Sequence, residues 1–238
     1  ERDYHFRYVL EDNFGNRRTY QFIVKGKRQD IPEYKPEANE MLYWNRTNVI
    51  QKPGMELVVP RYYVYEDVPL RTDMRGDSSL IAFDYILDAG RTPIHSYCDL
   101  SIGLRHMPVA DTTKYYIVQK AGKWRSSMGG KYASGWIKTR VRSLGTFSVD
   151  VDTIAPQITP IGQGGWRTSR NIRFRIKDME SGIGSYKVYI DGKFVLFGLK
   201  KGILVIQDPE KVKKGVPHKL EVTVTDQCGN MARKEYKF

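Results

Sequence analysis

The chain has 238 residues, of which 40% are hydrophobic and 28% are charged. This composition is typical of folded globular proteins and argues against wholesale disorder. No stretch approaches the roughly 20 apolar residues that a membrane-spanning helix needs, and no signal-peptide pattern opens the chain. The length is sufficient for about two domains of ordinary size.

The net charge of +12 is concentrated toward the C terminus. Residues 151–238 carry 16 Lys and Arg against 9 Asp and Glu, a net charge of +7. Such a surface favours anionic partners such as wall polymer or anionic glycolipid, although a merely solvated basic surface is the alternative. The densest basic stretch, Lys211–Lys214, is short and adjoins a turn, so we expect no nucleic-acid partner.

The first 25 residues predict a β-hairpin. Strand-like residues 4–10 and 19–24 flank a turn made by Asp12–Asn16, whose Asn, Asp and Gly residues tolerate the backbone angles of a tight turn. Residues 26–40 contain two prolines and few apolar residues, and they predict an extended linker.

Residues 41–151 predict a central β domain. Short strand-like runs alternate with turn residues, and no helical period persists beyond about two turns. This spacing is typical of a β-sandwich or barrel. The predicted strands are residues 55–59, 62–65, 80–86, 100–104, 115–118, 135–141 and 146–151.

Residues 152–238 predict an immunoglobulin-like sandwich that lacks the Cys…Trp…Cys core of antibody domains. Asp191-Gly192 between two β-rich runs is the strongest hairpin signal in the chain. The whole chain is therefore expected to be all-β. The predicted strands of this module are residues 157–161, 171–177, 185–190, 193–197, 203–207, 219–225 and 233–238.

One internal repeat links the two ends of the chain. Asp226–Asn230 repeats the pattern of Asp12–Asn16, and each motif follows one strand and precedes another that is basic and ends in an aromatic residue. We interpret the opening hairpin as the last two strands of a further immunoglobulin-like module, whose earlier strands precede this chain. Gly15 and Gly229 are expected to adopt positive φ.

His95 and Asp99 match HxxxD, the first half of a zinc-peptidase motif, and Cys98 and His106 lie nearby. A catalytic zinc ion needs about three protein ligands, but the chain has no HxH pair. On a strand, Cys98 would also point away from His95 and Asp99. The two cysteines, Cys98 and Cys228, form no CxxC pair and are expected to be buried thiols. We predict no metal site and no cofactor.

No G-x-S-x-G elbow or phosphate-binding loop is present, so we expect no catalytic residue. Exposed Trp and Tyr side chains can stack on sugars, and Arg can pair with anions. The candidate ligand-facing residues are therefore Trp124, Arg125, Tyr132, Trp136 and Arg140, with burial in the sheet as the alternative.

Short strand and turn motifs follow one another in a characteristic order along nearly the whole chain. They are Leu57–Pro60, Tyr65–Asp67, Thr92–His95, Gly129–Ile137, Leu144–Phe147, Asp152–Pro156, Ser181–Ile183, Tyr189–Lys193, Pro217-His218 and Asp226–Asn230. In this order they resemble the C-terminal extension of secreted M23-family (LytM-type) peptidoglycan metallopeptidases from the Bacteroidetes.

The resemblance implies a periplasmic or cell-surface protein with a zinc peptidase domain N-terminal to this chain in the same polypeptide. It implies that this chain is non-catalytic and positions or restrains that domain, with peptidoglycan or anionic glycolipid as candidate ligands. The alternative is an independent surface adhesion or carbohydrate-binding β-sandwich module. A hydrolase with its site in the central domain is a third hypothesis.

Overall fold

The computed structural model describes residues 2–28, 37–77, 79–90 and 92–238. In these residues the fold is all-β, with 21 strands in antiparallel sheets and only single helical turns between them. The prediction of an all-β fold is confirmed. None of the described helices has the length and apolar character that crossing a bilayer requires. The chain divides between residues 36 and 37 into two compact units.

The first unit contains one β-hairpin. Strand β1 (Arg2–Glu11) pairs with β2 (Arg17–Gly26) over their whole length. The predicted linker, residues 26–40, includes residues 29–36, which lie outside the described residues. Its last residues belong to the second unit, since the Asn39 side chain accepts a 2.7 Å hydrogen bond from the amide of Thr72.

The second unit begins with a β-sandwich formed by residues 40–151. One sheet has the strand order β10-β9-β13-β7-β6-β3 and the other has the order β11-β12-β8-β5-β4. Buried residues of both sheets form one hydrophobic core. The strands are β3 (Glu40–Leu42), β4 (Asn48–Lys52), β5 (Met55–Val59), β6 (Val68–Arg75), β7 (Asp84–Asp88), β8 (Cys98–Gly103), β9 (Tyr115–Ala121), β10 (Trp124–Ser127), β11 (Lys131–Ala133), β12 (Trp136–Val141) and β13 (Gly145–Val151).

Alternation of side chains produces this core. In β5, Met55, Leu57 and Val59 are buried, and the two residues between them are partly exposed. Successive strand residues point to opposite faces, so one face of each inner strand supplies apolar side chains and the other meets solvent. Burial of each such side chain contributes about 1.5–3 kcal/mol.

The C-terminal module is a second sandwich of two four-stranded sheets, in the orders β14-β15-β19-β18 and β17-β16-β20-β21. Its core is separate from that of the first sandwich. The strands are β14 (Gln157–Ile161), β15 (Arg173–Lys177), β16 (Ile183–Ile190), β17 (Lys193–Phe194), β18 (Phe197–Lys200), β19 (Ile203–Ile206), β20 (Lys219–Asp226) and β21 (Met231–Lys237).

Trp166 occupies the centre of this module. It lies on the single-turn helix α1 (Trp166–Ser169) and is fully buried. Its ring meets those of Phe174 and Tyr236 edge-on at 5.0 and 5.8 Å between centroids. Its indole nitrogen donates to the carbonyl oxygen of Ile161 at 2.9 Å, so the polar end of the ring is also satisfied.

The predicted Asp191-Gly192 hairpin is confirmed. Ile190 pairs with Lys193, so the connection has two residues, and Asp191 and Gly192 have φ of 50° and 77°. Two successive residues with positive φ are characteristic of the type I′ turn, whose twist matches that of the flanking strands.

Two predicted strands of the central domain are wrong in whole or in part. Residues 62–65 form turns, with Tyr62 at a φ of 68°. The predicted strand 80–86 begins only at Asp84. In the C-terminal module the predicted strand 193–197 is broken after Phe194, because the chain leaves one sheet there and enters the other with β18.

Five strands of the central domain were not predicted: β3, β4, β6, β10 and β11. Four of them, β3, β4, β10 and β11, are at sheet edges, and each has two to four residues exposed or partly exposed. Because edge strands need no apolar face, they carry little of the alternation on which the prediction depends. Strand β6 contains Pro69 near its start, which weakens the sequence signal for a strand.

Candidate functional site

The largest cluster of buried polar groups in the described residues lies where the central domain meets the C-terminal module. We call it the interdomain joint. Its central residue, Asp152, follows β13 directly and is fully buried. The joint comprises Lys114, Tyr116 and Val118 of the central domain, Asp152, and Asp178, Ser181 and Asp226–Asn230 of the module.

Asp152 connects three segments of the chain. Its Oδ2 accepts hydrogen bonds from the amide and the hydroxyl of Ser181, at 3.0 and 2.5 Å. Its Oδ1 accepts from the amide of Ile154 at 2.9 Å, which fixes the entry into the module. Its carbonyl oxygen accepts from the side-chain amide of Asn230 at 3.0 Å, and its own amide donates to the carbonyl of Lys114 at 2.9 Å.

The closing loop, Asp226–Asn230, is built around one carboxylate. Asp226 Oδ1 accepts from the amides of Cys228 and Asn230 at 2.9 and 2.8 Å, and Oδ2 accepts from the Asn230 side chain at 2.8 Å. Gly229 has a φ of 79°, as predicted. The loop therefore presents the Cys228 side chain and the Asn230 amide group together toward the central domain.

Apolar contact completes the joint. Cys228 is 3% exposed and packs with Tyr116 and Val118. The Lys114 ammonium donates to the carbonyl of Cys228 at 3.0 Å, so the loop is held by both polar and apolar contacts. Burial raises the pKa of the Cys228 thiol to about 11, and this thiol is therefore protonated and unreactive near neutral pH.

Three carboxylates meet in the joint. Asp152, Asp178 and Asp226 each have an oxygen within 4.8 Å of the others. Burial raises the pKa of Asp226, and the neighbouring charge of Asp152 adds to this, although hydrogen bonds from Asn230 oppose it. All-oxygen ligands suit Ca²⁺ or Mg²⁺ rather than zinc.

The same carboxylates are already engaged by the protein. Each oxygen of Asp152 and Asp226 accepts a hydrogen bond from an amide, a hydroxyl or an Asn side chain, and Asp178 Oδ2 accepts from the amides of Glu180 and Gly182. Hydrogen bonds between segments of the chain are therefore sufficient to explain why the three carboxylates lie together. The sequence-based expectation of no bound metal stays a prediction.

Substitution of Gly229 by valine should lower the free energy of unfolding by about 1–2 kcal/mol, because a Cβ is disfavoured at left-handed φ. No atom lies within 4 Å of the position that the Cβ would occupy, so the cost should come from the backbone alone. Gly164 is a matched control, since it also has open space but not a positive φ. Chemical denaturation of Gly229→Val and Gly164→Val tests this; equal stability of the two variants would contradict it.

The HxxxD residues do not converge on a metal site. His95 precedes the strand, which starts at Cys98, and its Nδ1 lies 2.9 Å from the hydroxyl of Tyr65. Cys98 is buried in the core, and burial raises the pKa of its thiol to about 11. Asp99 points to the opposite, exposed face, where Arg140 approaches within 3.9 Å. The predicted alternation of Cys98 and Asp99 is therefore observed.

His218 is held in a polar socket at the start of the final hairpin. Its Nδ1 lies 2.6 Å from a carboxylate oxygen of Asp191 and its Nε2 lies 2.7 Å from the carbonyl oxygen of Lys213. Both neighbours are acceptors, so both ring nitrogens must donate, which only the protonated ring can do. Burial lowers the pKa of His218 and the charge of Arg167 also lowers it, but the two hydrogen bonds and the negative charge of Asp191 outweigh them, so the pKa is raised.

The stability of the C-terminal module should decrease as pH rises from about 6.5, the usual pKa of histidine. A group whose pKa is raised on folding stabilises the protein fully below its unfolded pKa, and this stabilisation is lost as pH passes the folded value. Urea unfolding from slightly acid to alkaline pH measures the slope. His218→Gln should remove it, whereas His106→Gln, at an exposed position, should leave it unchanged; identical slopes would contradict the assignment.

Two of the ligand-facing candidates lie on strand β10 at the edge of the six-stranded sheet. Trp124 is 81% exposed. Arg125 is bound to a carboxylate oxygen of Asp150 at 2.7 Å. Of these two residues, Trp124 is the one that is exposed and has no ion pair or aromatic contact among the described residues.

The other three candidates lie in the five-stranded sheet. Tyr132 on the edge strand β11 lies opposite Ile137, whose side chain is in the core. Directly opposite residues share a face of the sheet, so Tyr132 lies on the core-facing side. Trp136 and Arg140 on β12 share the outer face, and the indole of Trp136 packs over Gly103. The five candidates therefore belong to two sheets and do not form a single surface.

Sequence reasoning did not connect the joint residues with one another. Asp152, Ser181 and Asp226–Asn230 were recognised only as turn motifs, and Lys114 and Tyr116 were not singled out. A weak signal was available in the repeat itself, because the Cys228 position is apolar in both copies although it lies at the tip of a polar turn.

Comparison with known proteins gives one family match. Residues 39–152 match a family described as the Zu5-like domain, a stretch close to the predicted central domain at 41–151. The match covers slightly less than half of the chain and supports a β-rich domain there. A search of curated proteins finds no match.

Proposed function

We propose that this chain is a non-catalytic accessory region of the bacterial cell envelope, periplasmic or on the cell surface. It positions or restrains an M23-type zinc peptidoglycan endopeptidase domain that lies N-terminal to it in the same polypeptide. The resemblance of its ordered turn motifs to those of M23-type peptidases supports the family assignment in this proposal. The single observation on which the positioning role rests is the interdomain joint. Its cis partner is the peptidase domain, and its candidate ligands are peptidoglycan and anionic glycolipid.

The joint supports this role because it fixes two β-sandwiches relative to each other. Asp152 is bound on one side to Lys114 and on the other to Ser181 and Asn230. Inter-domain contacts within a chain are ordinarily mobile unless they are extensive or well packed. Buried hydrogen bonds and the packing of Cys228 therefore make the pair suited to hold an attached domain at a fixed distance and angle.

The state of the chemically capable side chains also favours a structural role. The thiols of Cys98 and Cys228 are buried with raised pKa values. His218 is held by two hydrogen bonds, and Asp178 accepts bonds from turn amides. A nucleophile or general base needs free access to substrate, and these groups are instead occupied by the protein.

The test uses the natural polypeptide that carries this chain. Asp152→Ala should loosen the joint, and so alter cleavage of whole sacculi while leaving hydrolysis of a small soluble peptide unchanged. Asp99→Ala is the matched control, because Asp99 is exposed and has only a distant ion pair. The isolated chain should cut neither substrate.

Three outcomes would contradict the proposal. The first is cleavage of either substrate by the isolated chain. The second is an Asp152→Ala substitution that leaves the activity of the natural polypeptide on sacculi unaltered. The third is a natural polypeptide that has no peptidase activity. Saturable binding of glycans by the isolated chain that is lost in Trp124→Ala or Trp136→Ala would instead favour the adhesion or carbohydrate-binding alternative. Purely electrostatic binding should weaken steeply with salt, since exposed charges are screened beyond about 8 Å at physiological ionic strength.

A further inference from the structure

The N-terminal hairpin and the final hairpin of the chain have the same register. Glu11 pairs with Arg17 and Phe6 with Phe22 in the first hairpin. In the second, Thr225 pairs with Met231 and Leu220 with Tyr236, at equal distances from the turn. The two hairpins can therefore be compared position by position.

The loops that close the two hairpins have the same hydrogen bonds. Asp12 Oδ1 accepts from the amides of Phe14 and Asn16, both at 2.9 Å, and Oδ2 accepts from the Asn16 side chain at 2.8 Å. These are the bonds that Asp226 makes in the closing loop. Gly15 has a φ of 81°, against 79° for Gly229.

The two loops differ in what surrounds them. Cys228 is 3% exposed because it packs into the interdomain joint, whereas Phe14, at the matching position, is 92% exposed. The side-chain amide of Asn230 donates to Asp152, whereas that of Asn16 has only Asp12 as a described partner. Exposure of a phenylalanine side chain to water is unfavourable, and its burial would contribute about 1.5–3 kcal/mol to the free energy of docking.

The same contrast holds along one face of the hairpin. Leu220, Val222 and Val224 of β20 are fully buried in the core of their module. The matching positions of β1 are Phe6, Tyr8 and Leu10, which are 41–60% exposed. A hairpin of two strands is marginal on its own in water, so this face needs a second sheet.

We propose that the loop Asp12–Asn16 is the docking element of a second interdomain joint. Its partner is a β domain N-terminal to this chain in the same polypeptide, which precedes the module that β1 and β2 close. Phe14 fills an apolar recess in that domain, as Cys228 does against Tyr116 and Val118. Asn16 donates to a carboxylate and a main-chain carbonyl there, as Asn230 does to Asp152.

The order of elements in the C-terminal module assigns the partner to the preceding polypeptide. Every strand that covers the β20–β21 hairpin comes before it in sequence, and the domain on which its loop docks comes earlier still. This inference is independent of the proposed function, because it requires a docked β domain and makes no assumption about peptidase activity.

Cysteine labelling tests the proposal directly. Phe14→Cys introduces an accessible thiol, and the natural Cys98 and Cys228 are buried and should give little background. Maleimide should label this variant rapidly in the 238-residue chain, and about tenfold or more slowly in the longer natural polypeptide. Thr19→Cys is the control: it matches Arg233, which is exposed in the folded module, and should label rapidly in both.

Equal labelling of Phe14→Cys in the two proteins would overturn the proposal. Slow labelling already in the 238-residue chain would also overturn it. If the slow rate depends on protein concentration, a second copy of the chain covers position 14. If it does not, residues 37–238 of the same chain cover it. Hydroxyl-radical footprinting of the unmutated proteins checks the result without any substitution. Oxidation of Phe14 should be suppressed only in the longer polypeptide. In the 238-residue chain, oxidation of the exposed Trp124 serves as the reference for an accessible aromatic side chain.

Discussion

Replacement of Asp152 by alanine is expected to lower the free energy of unfolding by about 2–4 kcal/mol. The side chain is fully buried, and its loss leaves the Ser181 hydroxyl and amide and the Ile154 amide without their acceptor. Each buried donor without a partner costs about 1–3 kcal/mol. Removal of the charge beside Asp226 offsets part of this, but it replaces none of the lost acceptors.

Differential scanning calorimetry is the appropriate measurement, because the substitution should also uncouple the two sandwiches. We expect the C-terminal module to unfold in a separate, earlier transition, whereas the unmutated second unit should unfold more cooperatively. Asp99→Ala should shift stability by less than about 0.5 kcal/mol, as surface substitutions usually do. An Asp152→Ala protein with the unmutated profile would show that the joint does not hold the domains together.

Replacement of Trp166 by alanine should have the largest effect, about 3–5 kcal/mol, which is typical of truncating a buried Trp in a core. The indole fills the centre of the C-terminal module between Phe174 and Tyr236. The carbonyl of Ile161 would lose its donor as well. Urea unfolding followed by tyrosine fluorescence would measure the loss without depending on the missing tryptophan.

Trp124→Ala is the matched control for Trp166→Ala. The same side chain is removed, but Trp124 is 81% exposed on an edge strand, so stability should change by less than about 0.5 kcal/mol. Comparable losses in the two variants would contradict the assignment of Trp166 as the centre of the core.

The sequence was sufficient for most inner strands of both sandwiches, and β6 is the exception. In β20 the apolar residues alternate strictly, and the predicted bounds of β5, the edge strand β14 and β20 agree with the observed ones to within one residue. Edge strands such as β11 were missed because their exposed residues show no alternation. The run 62–65 is rich in β-branched and aromatic residues but forms a turn, so tertiary context overrides its propensity.

The interdomain joint could not be predicted in the same way. Asp152 and Asn230 are in contact although 78 residues separate them, and Lys114 and Cys228 although 114 residues do. Local patterns identify Asp226–Asn230 as a turn but do not show which surface the turn meets. The candidate sugar-binding residues failed to converge for the related reason that neighbours in sequence, such as Arg125 and Tyr132, lie in different sheets.

These long separations also determine when the joint can form during synthesis. Lys114 and Asp152 leave the ribosome well before Asn230, which follows Asp152 by 78 residues. Domains generally fold in order of synthesis, and contacts between distant residues form slowly because the intervening loop must first close. The central sandwich can therefore fold while the module is incomplete, and the closing loop attaches the two only after the final hairpin of the module has been synthesised. Until then Tyr116 and Val118 remain an open apolar patch, and transiently exposed apolar surface of this kind favours aggregation of the nascent chain.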